Sequence, residues 1–385
     1  MSNPFFETWQ TPFNMPPFET IQDHHFEAAF EQGFSEHWAE IEAIANNPAP
    51  PSFDNTLVAL EASGQLLTKT ADVFFNLVST DTNEALQAIE EAVSVQWSNH
   101  NSNLYNHLGL FQRIKTLFLD LPNLGLQPDQ QLLLETLYND FVRGGVELNA
   151  PARQQIRDIN EQLATLETRF GHNVLAETNQ FELVLTRDDD LRGLPESVLA
   201  AARNEAAQRG HPEGHYAFSI SRSSFTPFMQ FADNRALRET LFEAYTRCGD
   251  LGNAADNKAL AVEIALLRHQ RAQIKGFASH AHYMLEDRMA GHPSQVHQLL
   301  DQVWQPAQKK AQQEAADLQA RIRQEGQNFE LAPWDWWYYT EKLRAERFDL
   351  NETETKPYFA LEQVRDGAFE VCLLYTSDAA DEEDS

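Results

Sequence analysis

Apolar side chains recur at intervals of three and four along most of this chain, a spacing that gathers them on one face of an α-helix. Between His24 and Ala45 they are Phe26, Phe30, Phe34, Trp38, Ile41 and Ala45, which predicts an amphipathic helix. The run Asn46-Asn47-Pro48-Ala49-Pro50-Pro51 ends it, because proline lacks a backbone donor and restricts the residue before it. Leu57, Leu60, Leu67, Phe74 and Leu77 continue a helical stripe with Asp54 as the expected N-cap. Farther on, Ile156, Ile159, Leu163, Leu166 and Phe170 predict a helix over 151–170 with Pro151 at its first position. Upstream of all this, Pro4, Pro12, Pro16 and Pro17 predict an extended lead lying across a surface.

Two short segments change period. Residues 181–186 (Phe-Glu-Leu-Val-Leu-Thr) and 215–221 (His-Tyr-Ala-Phe-Ser-Ile-Ser) alternate apolar and polar positions and carry aromatic and β-branched side chains, so they predict two strands around a helix at 196–208. Beyond Asn234 the helical spacing returns over 234–247, 254–274, 279–290 and 294–325, broken by Gly276, Gly291 and Pro293. The last of these would run about 48 Å at 1.5 Å per residue, a length that belongs to a large fold. No repeat emerges at a fixed period, which argues against a solenoid. The expected fold class is therefore mainly all-α with one minor β element.

Composition narrows the function classes. The 385 residues hold 29 Lys and Arg against 58 Asp and Glu, a net charge of −29 that repels nucleic-acid phosphates and anionic membrane surfaces. Neither nucleic acid nor membrane is an expected partner. A hydrophobic share of 42% with 25 Phe suffices for a folded core despite that charge. Two cysteines, Cys248 and Cys372, form no Cys-x-x-Cys spacing, and the first basic residue is Lys69, so neither a disulfide framework nor a signal peptide is expected and the cytoplasm fits best.

Candidate chemistry is sparse. None of the 13 His is followed by Glu, so the His-Glu-x-x-His pattern that brings two imidazoles and a general base to one zinc is absent. His280, His282 and Glu286 stand at i, i+2 and i+6, which on a helix point to different faces. His24 and His25 beside Asp23, and His211 with His215, read as solvated or capping groups. Ser223-Ser224 lies in a serine-rich turn without a glycine elbow, and Cys248 beside Arg247 reads as a small structural thiol. No glycine-rich phosphate loop is present. The run Pro333-Trp-Asp-Trp-Trp-Tyr-Tyr339 admits two readings: a core anchor at a helix start with Asp335 as N-cap, or the aromatic wall of a peptide-binding cleft. No catalytic, cofactor-binding or metal-ligating residue is assigned from the residues themselves.

Several separated stretches carry a resemblance. They are 47–56 (Asn-Pro-Ala-Pro-Pro-Ser-Phe-Asp-Asn-Thr), 60–68, 233–247, the Pro333-Trp-Asp-Trp run with Tyr338-Tyr339, and Lys356-Pro-Tyr-Phe359. In that order they resemble the upstream half of the thimet oligopeptidase family of zinc metallopeptidases, in the branch of peptidyl-dipeptidases and oligopeptidase A. The resemblance covers about residues 3–371. It implies a neurolysin-like helical fold, zinc as cofactor, short peptides as substrates, and a monomer at full length. The family's zinc ligands lie downstream of every motif present, so none is carried over.

The end of the chain departs from that pattern. After Phe369-Glu-Val371 the sequence Cys372-Leu-Leu-Tyr-Thr-Ser-Asp resembles a translated sequencing adapter, so the expectation is a truncated reading frame. The expected organisation is an N-terminal helical region over 1–222, the upstream part of a peptidase catalytic domain over 223–371, and a non-native tail over 372–385. A chain of this kind is expected to be inactive alone. The alternative is a non-catalytic helical module that binds peptides or serves as a scaffold.

Overall fold

A computed structural model describes residues 3–348 and 355–383. In chain order the main helices are α1 (His24–Ala45), α2 (Gln65–Thr80), α3 (Glu84–Leu104), α4 (Leu108–Leu119), α5 (Pro128–Gly144) and α6 (Ala150–Gln180). There follow β1 (Leu183–Leu185), α7 (Glu196–Gln208), β2 (Tyr216–Phe218), α8 (Arg222–Phe231), α9 (Arg235–Thr246), α10 (Lys258–Ile274) and α11 (His280–Leu285). The series ends with α12 (Pro293–Gln324), α13 (Trp336–Phe348) and α14 (Leu361–Glu383). Among the described residues the one sheet is an antiparallel pair with Leu183 opposite Phe218 and Leu185 opposite Tyr216. The mainly all-α class with its minor β element is thus the observed one. No helix among the described residues is long and apolar enough to cross a membrane.

The chain divides into two compact units, Met1–Asn179 with Cys248–Asp301, and Gln180–Arg247 with Gln302–Ser385. The first is built on phenylalanine. Phe26, Phe30 and Phe74 are at most 1% exposed, and the Phe74 ring meets both others edge-on at 5.1 and 5.2 Å between centroids. Burying three such rings removes roughly 150–250 Å² of surface each, the largest payload any side chain offers. Helices α1 and α2 cross at Gly33, where a Cβ would approach Leu67 Cα to 3.0 Å. A second cluster gathers Ile41, Leu57, Leu110, Ile114, Leu134 and Phe141 from α1, α4, α5 and the turn after α1.

That turn needs a partner for its carbonyls, since its prolines cannot build a ladder. Arg113 supplies it: 7% exposed, it donates to the carbonyls of Asn47 and Ala49 at 2.9 and 3.1 Å and to Asn55 Oδ1 at 2.7 Å. The N-cap is Ser52 rather than Asp54, because Ser52 and Asn55 bond each other's backbone N–H reciprocally. The stripe that follows is not one helix. A wide turn over Phe53–Val58 runs into Ala59–Glu61, and Gly64 at φ +71° restarts the chain as α2. The proline-rich lead is more deeply tied than its sequence suggests. Lys69 donates to the carbonyls of Phe5 and Glu7, and Phe5 is 2% exposed within the phenylalanine core.

The remaining boundaries shift for local reasons. Helix α6 begins one residue before Pro151, with Asn149 accepting from the Ala152 N–H, and runs on to Gln180. Helix α10 starts at Lys258 because Asn253 and Asp256 hold the preceding turn through their side chains. Helix α11 ends at Leu285, far short of 290. Of the opening lead, the first two residues lie outside the described ones. Helix α14 carries the chain through the expected tail at 372–385 as far as Glu383, and Asp384 and Ser385 lie outside the described residues.

Candidate functional site

The second unit places its charged and aromatic side chains around one carboxylate. Asp335, in the turn Pro333–Asp335 that opens α13, is fully buried. An isolated carboxylate there would cost several kcal/mol, so its partners decide whether the unit folds. Arg235 donates from Nε at 3.1 Å to each carboxylate oxygen and from Nη2 at 2.9 Å to Oδ2. Arg238, 1% exposed, donates from Nη2 to Oδ1 at 3.0 Å. The Ala332 N–H adds a bond to Oδ2 at 3.1 Å. Asp335 therefore reaches back to the start of its turn as a third-position group and is not the N-cap expected of it.

Arg238 is equally well supplied. Its Nη1 donates to the carbonyls of Ala232 and Asp233 at 2.6 and 3.2 Å, and its Nε to that of Trp334 at 3.3 Å. Its guanidinium lies 4.1 Å from the centroid of the Tyr338 ring. The Tyr338 hydroxyl donates to Asp233 Oδ1 at 2.7 Å. Burial first, and then that bond to a carboxylate, push the Tyr338 phenol well above its ordinary range, so it stays a donor. The approach of Asp233 requires Gly193, at φ +84°, where a Cβ would stand 2.1 Å from the Phe231 carbonyl oxygen.

Most rings of the aromatic run face inward. Trp334 and Trp337 both pack on Phe242, Trp337 also meets Phe225 edge-on, and Phe225 stacks on Tyr245 at 4.2 Å. Tyr338 and Tyr339 join Leu318 and Ile322 of α12 in a small core. Trp336 alone of the run lines a recess, one of about 240 Å³ shared with Leu318, Leu343 and Phe348. Chemically the network fixes α9 to α13. Its one hydroxyl–carboxylate pair, Tyr338 with Asp233, keeps the phenol a donor, and its buried members bond chiefly to one another.

The other candidates are placed apart. His282 Nδ1 pairs with Ser279 Oγ at 2.8 Å and its ring meets His292, while Glu286 is held by Arg143 and His280 Nδ1 is buried without a partner. His25 Nδ1 accepts from the Gln22 N–H at 3.0 Å, a local cap, and Asp23 accepts from Asn83. His211 pairs with Glu182 at 2.9 Å, its ring parallel to His215. Ser223 and Ser224 lie in the first turn of α8, not in a loop, and Ser224 Oγ accepts from the Ser219 N–H. Cys248 is half-buried, its Sγ 3.6 Å from the Val174 carbonyl oxygen. Among the described residues no three His, Cys, Asp or Glu side chains converge as a metal ion requires, so no step through zinc is derived from them.

The Asp335 network was beyond the reach of spacing, since its arginines stand 97 and 100 positions away. The only signal was an acid set among aromatics at a helix start.

Residues 228–375, which include most of this network, match the model of peptidase family M3. Over 368 residues the chain is 32% identical to a dipeptidyl carboxypeptidase of Escherichia coli, covering 95% of the chain and 54% of that protein. It is 30% identical over 375 residues to an oligopeptidase A of Salmonella typhimurium, covering 96% of the chain and again 54% of the relative. A probable cytosolic oligopeptidase A of Arabidopsis thaliana is 27% identical over the same length. The chain spans about half the length of the curated relatives it matches. Along the stretch it spans, the chain is similar to the dipeptidyl carboxypeptidases and oligopeptidases A, and over residues 228–375 it matches peptidase family M3.

Proposed function

We propose that this chain is the upstream part of a zinc-dependent peptidase of the cytoplasm that hydrolyses short peptides, as a peptidyl-dipeptidase or an oligopeptidase. The observation that carries the reading is the 32% identity spread over 95% of the chain, which makes the relationship one of the whole described framework and not of a single motif. In this reading residues 1–222 form the helical N-terminal region, the catalytic domain opens at about 223, and 372–385 are not native to it. The zinc ligands belong to chain that the relatives possess and this sequence does not include. Hydrolysis by such an enzyme depends on the metal lowering the pKa of bound water to about 7 and polarising the scissile carbonyl.

The exposed apolar row on α14 supports a longer protein. Leu361, Val364, Phe369 and Val371 are each 47–78% exposed, apolar area that soluble chains rarely leave uncovered. The test is direct. The purified 385-residue chain is assayed for zinc content and for cleavage of an internally quenched short peptide, beside a version extended to the relatives' full length. Turnover with stoichiometric zinc in the extended protein alone is the expected result. Turnover by the shorter chain, or none by either, would overturn the proposal.

A further inference from the structure

A recess of about 300 Å³ in the first unit, lined by α3, α6 and α10, holds two cations that form no salt bridge among the described residues. At roughly 30 Å³ per water it would contain about ten, room for a small hydrated ion. Arg271 and Lys275, one turn apart on α10, both form its wall. Among the described residues neither makes an ion pair, in a protein whose net charge is −29. The only carboxylate of the lining, Glu167, is already held by Arg268 at 2.6 Å.

The donors of both cations are partly idle. Arg271 Nη1 donates to Asn160 Oδ1 at 2.8 Å, while its Nε is buried without a partner. The Nε and Nη2 edge of a guanidinium is the one that meets two oxygens of an oxyanion side by side. Lys275 Nζ donates to the Arg143 carbonyl and to the Tyr283 hydroxyl, which leaves one of its three N–H groups uncommitted. Ser98, Asn101 and Ser102 of α3 complete the lining with neutral hydroxyls and an amide. Burial, and then the charges of Arg271 and Arg143, hold the Lys275 ammonium down to about 7, the signature of positive charge crowded together out of water.

We propose that this recess binds a small dianionic oxyanion of the phosphate class, held between the Arg271 guanidinium and the Lys275 ammonium. The site is separate from the Asp335 network and does not rest on the peptidase reading. A bound dianion would draw a proton onto Lys275, so that two positive groups match its charge, and neutral donors around them serve the remaining oxygens. A halide offers a single centre where an oxyanion offers several oxygens, so the separated donors of the recess favour the oxyanion. The free ion and a phosphate monoester share this chemistry, and their relative affinity tells which fits the recess.

The experiment uses the whole chain at fixed ionic strength, with binding of inorganic phosphate, glycerol phosphate, acetate and chloride followed by calorimetry and by thermal melting. Phosphate or its ester is expected to bind with 1:1 stoichiometry and to raise the melting temperature, while chloride at the same ionic strength does neither. Arg271→Gln should weaken binding by about tenfold or more, the loss of a charge-assisted pair of bonds. Asn101→Asp, which puts a negative charge at the wall without changing volume, should abolish the phosphate response while the ligand-free protein stays folded and melts no lower than before. Equal shifts with chloride, no shift with either phosphate, or unchanged phosphate affinity in Asn101→Asp would overturn the proposal.

Discussion

In the second unit, Arg238 is 1% exposed and four of its five N–H groups have an oxygen: Asp335 and the carbonyls of Ala232, Asp233 and Trp334. In the first unit, Arg271 and Lys275 stand around a recess and, among the described residues, hydrogen-bond to a neutral amide, a carbonyl and a phenol, with no carboxylate paired to either. The same side-chain type thus occurs in two conditions. A buried cation that is fully supplied within the chain is structural, because removing any partner leaves a charge without compensation. One that is under-supplied beside open volume is poised to accept a partner from outside the chain. The difference lies in what faces the cation, and composition alone gives no hint of it.

The comparison can be broken most forcefully at Asp335. Asp335→Ala should cost about 3–5 kcal/mol, since it leaves Arg238 buried and unpaired; urea unfolding would register it, and a loss under 1 kcal/mol would mean the network is not structural. Gly193→Ala is expected to cost about 2 kcal/mol or more, because a left-handed backbone and a contact of 2.1 Å to a carbonyl oxygen both forbid the methyl.

A third buried pair shows a different solution, which is to stay neutral. His100 Nε2 and His37 Nδ1 are 2.9 Å apart. Burial, and secondarily the His37 charge, lower the His100 value from 6.5 to about 4. The unfolded chain then binds more protons than the folded one in this window, so stability present above pH 6.5 should drain away as pH falls towards 4. Urea unfolding of the wild type and of His100→Gln across that range would separate this contribution, which the variant should lack.

Tyr338→Phe should cost about 1 kcal/mol, the worth of its bond to Asp233. Smallest of all, Arg271→Gln without phosphate should change stability by less than about 1 kcal/mol, because it removes a cation that was never fully supplied. If Arg271→Gln were as damaging as the same change at Arg238, the contrast between the two clusters would disappear. A separate measurement concerns α14: light scattering should reveal self-association of the chain, driven by its exposed apolar row.

Some of this architecture was legible in the residues. Helix α1 begins and ends where its apolar spacing and the proline run place it, and α7 lies at 196–208 as read. Both strands fall inside the segments whose period drops to two. Helices α3, α4 and α5 went unread. In α3 the buried set mixes Leu86, Ile89 and Val93 with His100 and Ser102, so its inward face is partly polar. In α4 apolar residues run nearly all round, with Leu108 and Leu119 exposed, and a stripe cannot be told from its background. The aromatic run at 333–339 was ambiguous because rings suit a core and a cleft equally, and only the positions of Phe225 and Phe242 turned most of it inward.

Taken alone, the sequence determined the helical class, the minor β element, the acidic net charge and the family resemblance, because these depend on period, charge count and motif order within short windows. Tertiary structure alone decided that Asp335 is a buried hub, that Ser52 caps where Asp54 was expected, and that Arg271 and Lys275 share a recess. Each of these depends on which distant side chain arrives within 3 Å, and hydrogen bonds and ion pairs fall off too steeply with distance for spacing along the chain to forecast them.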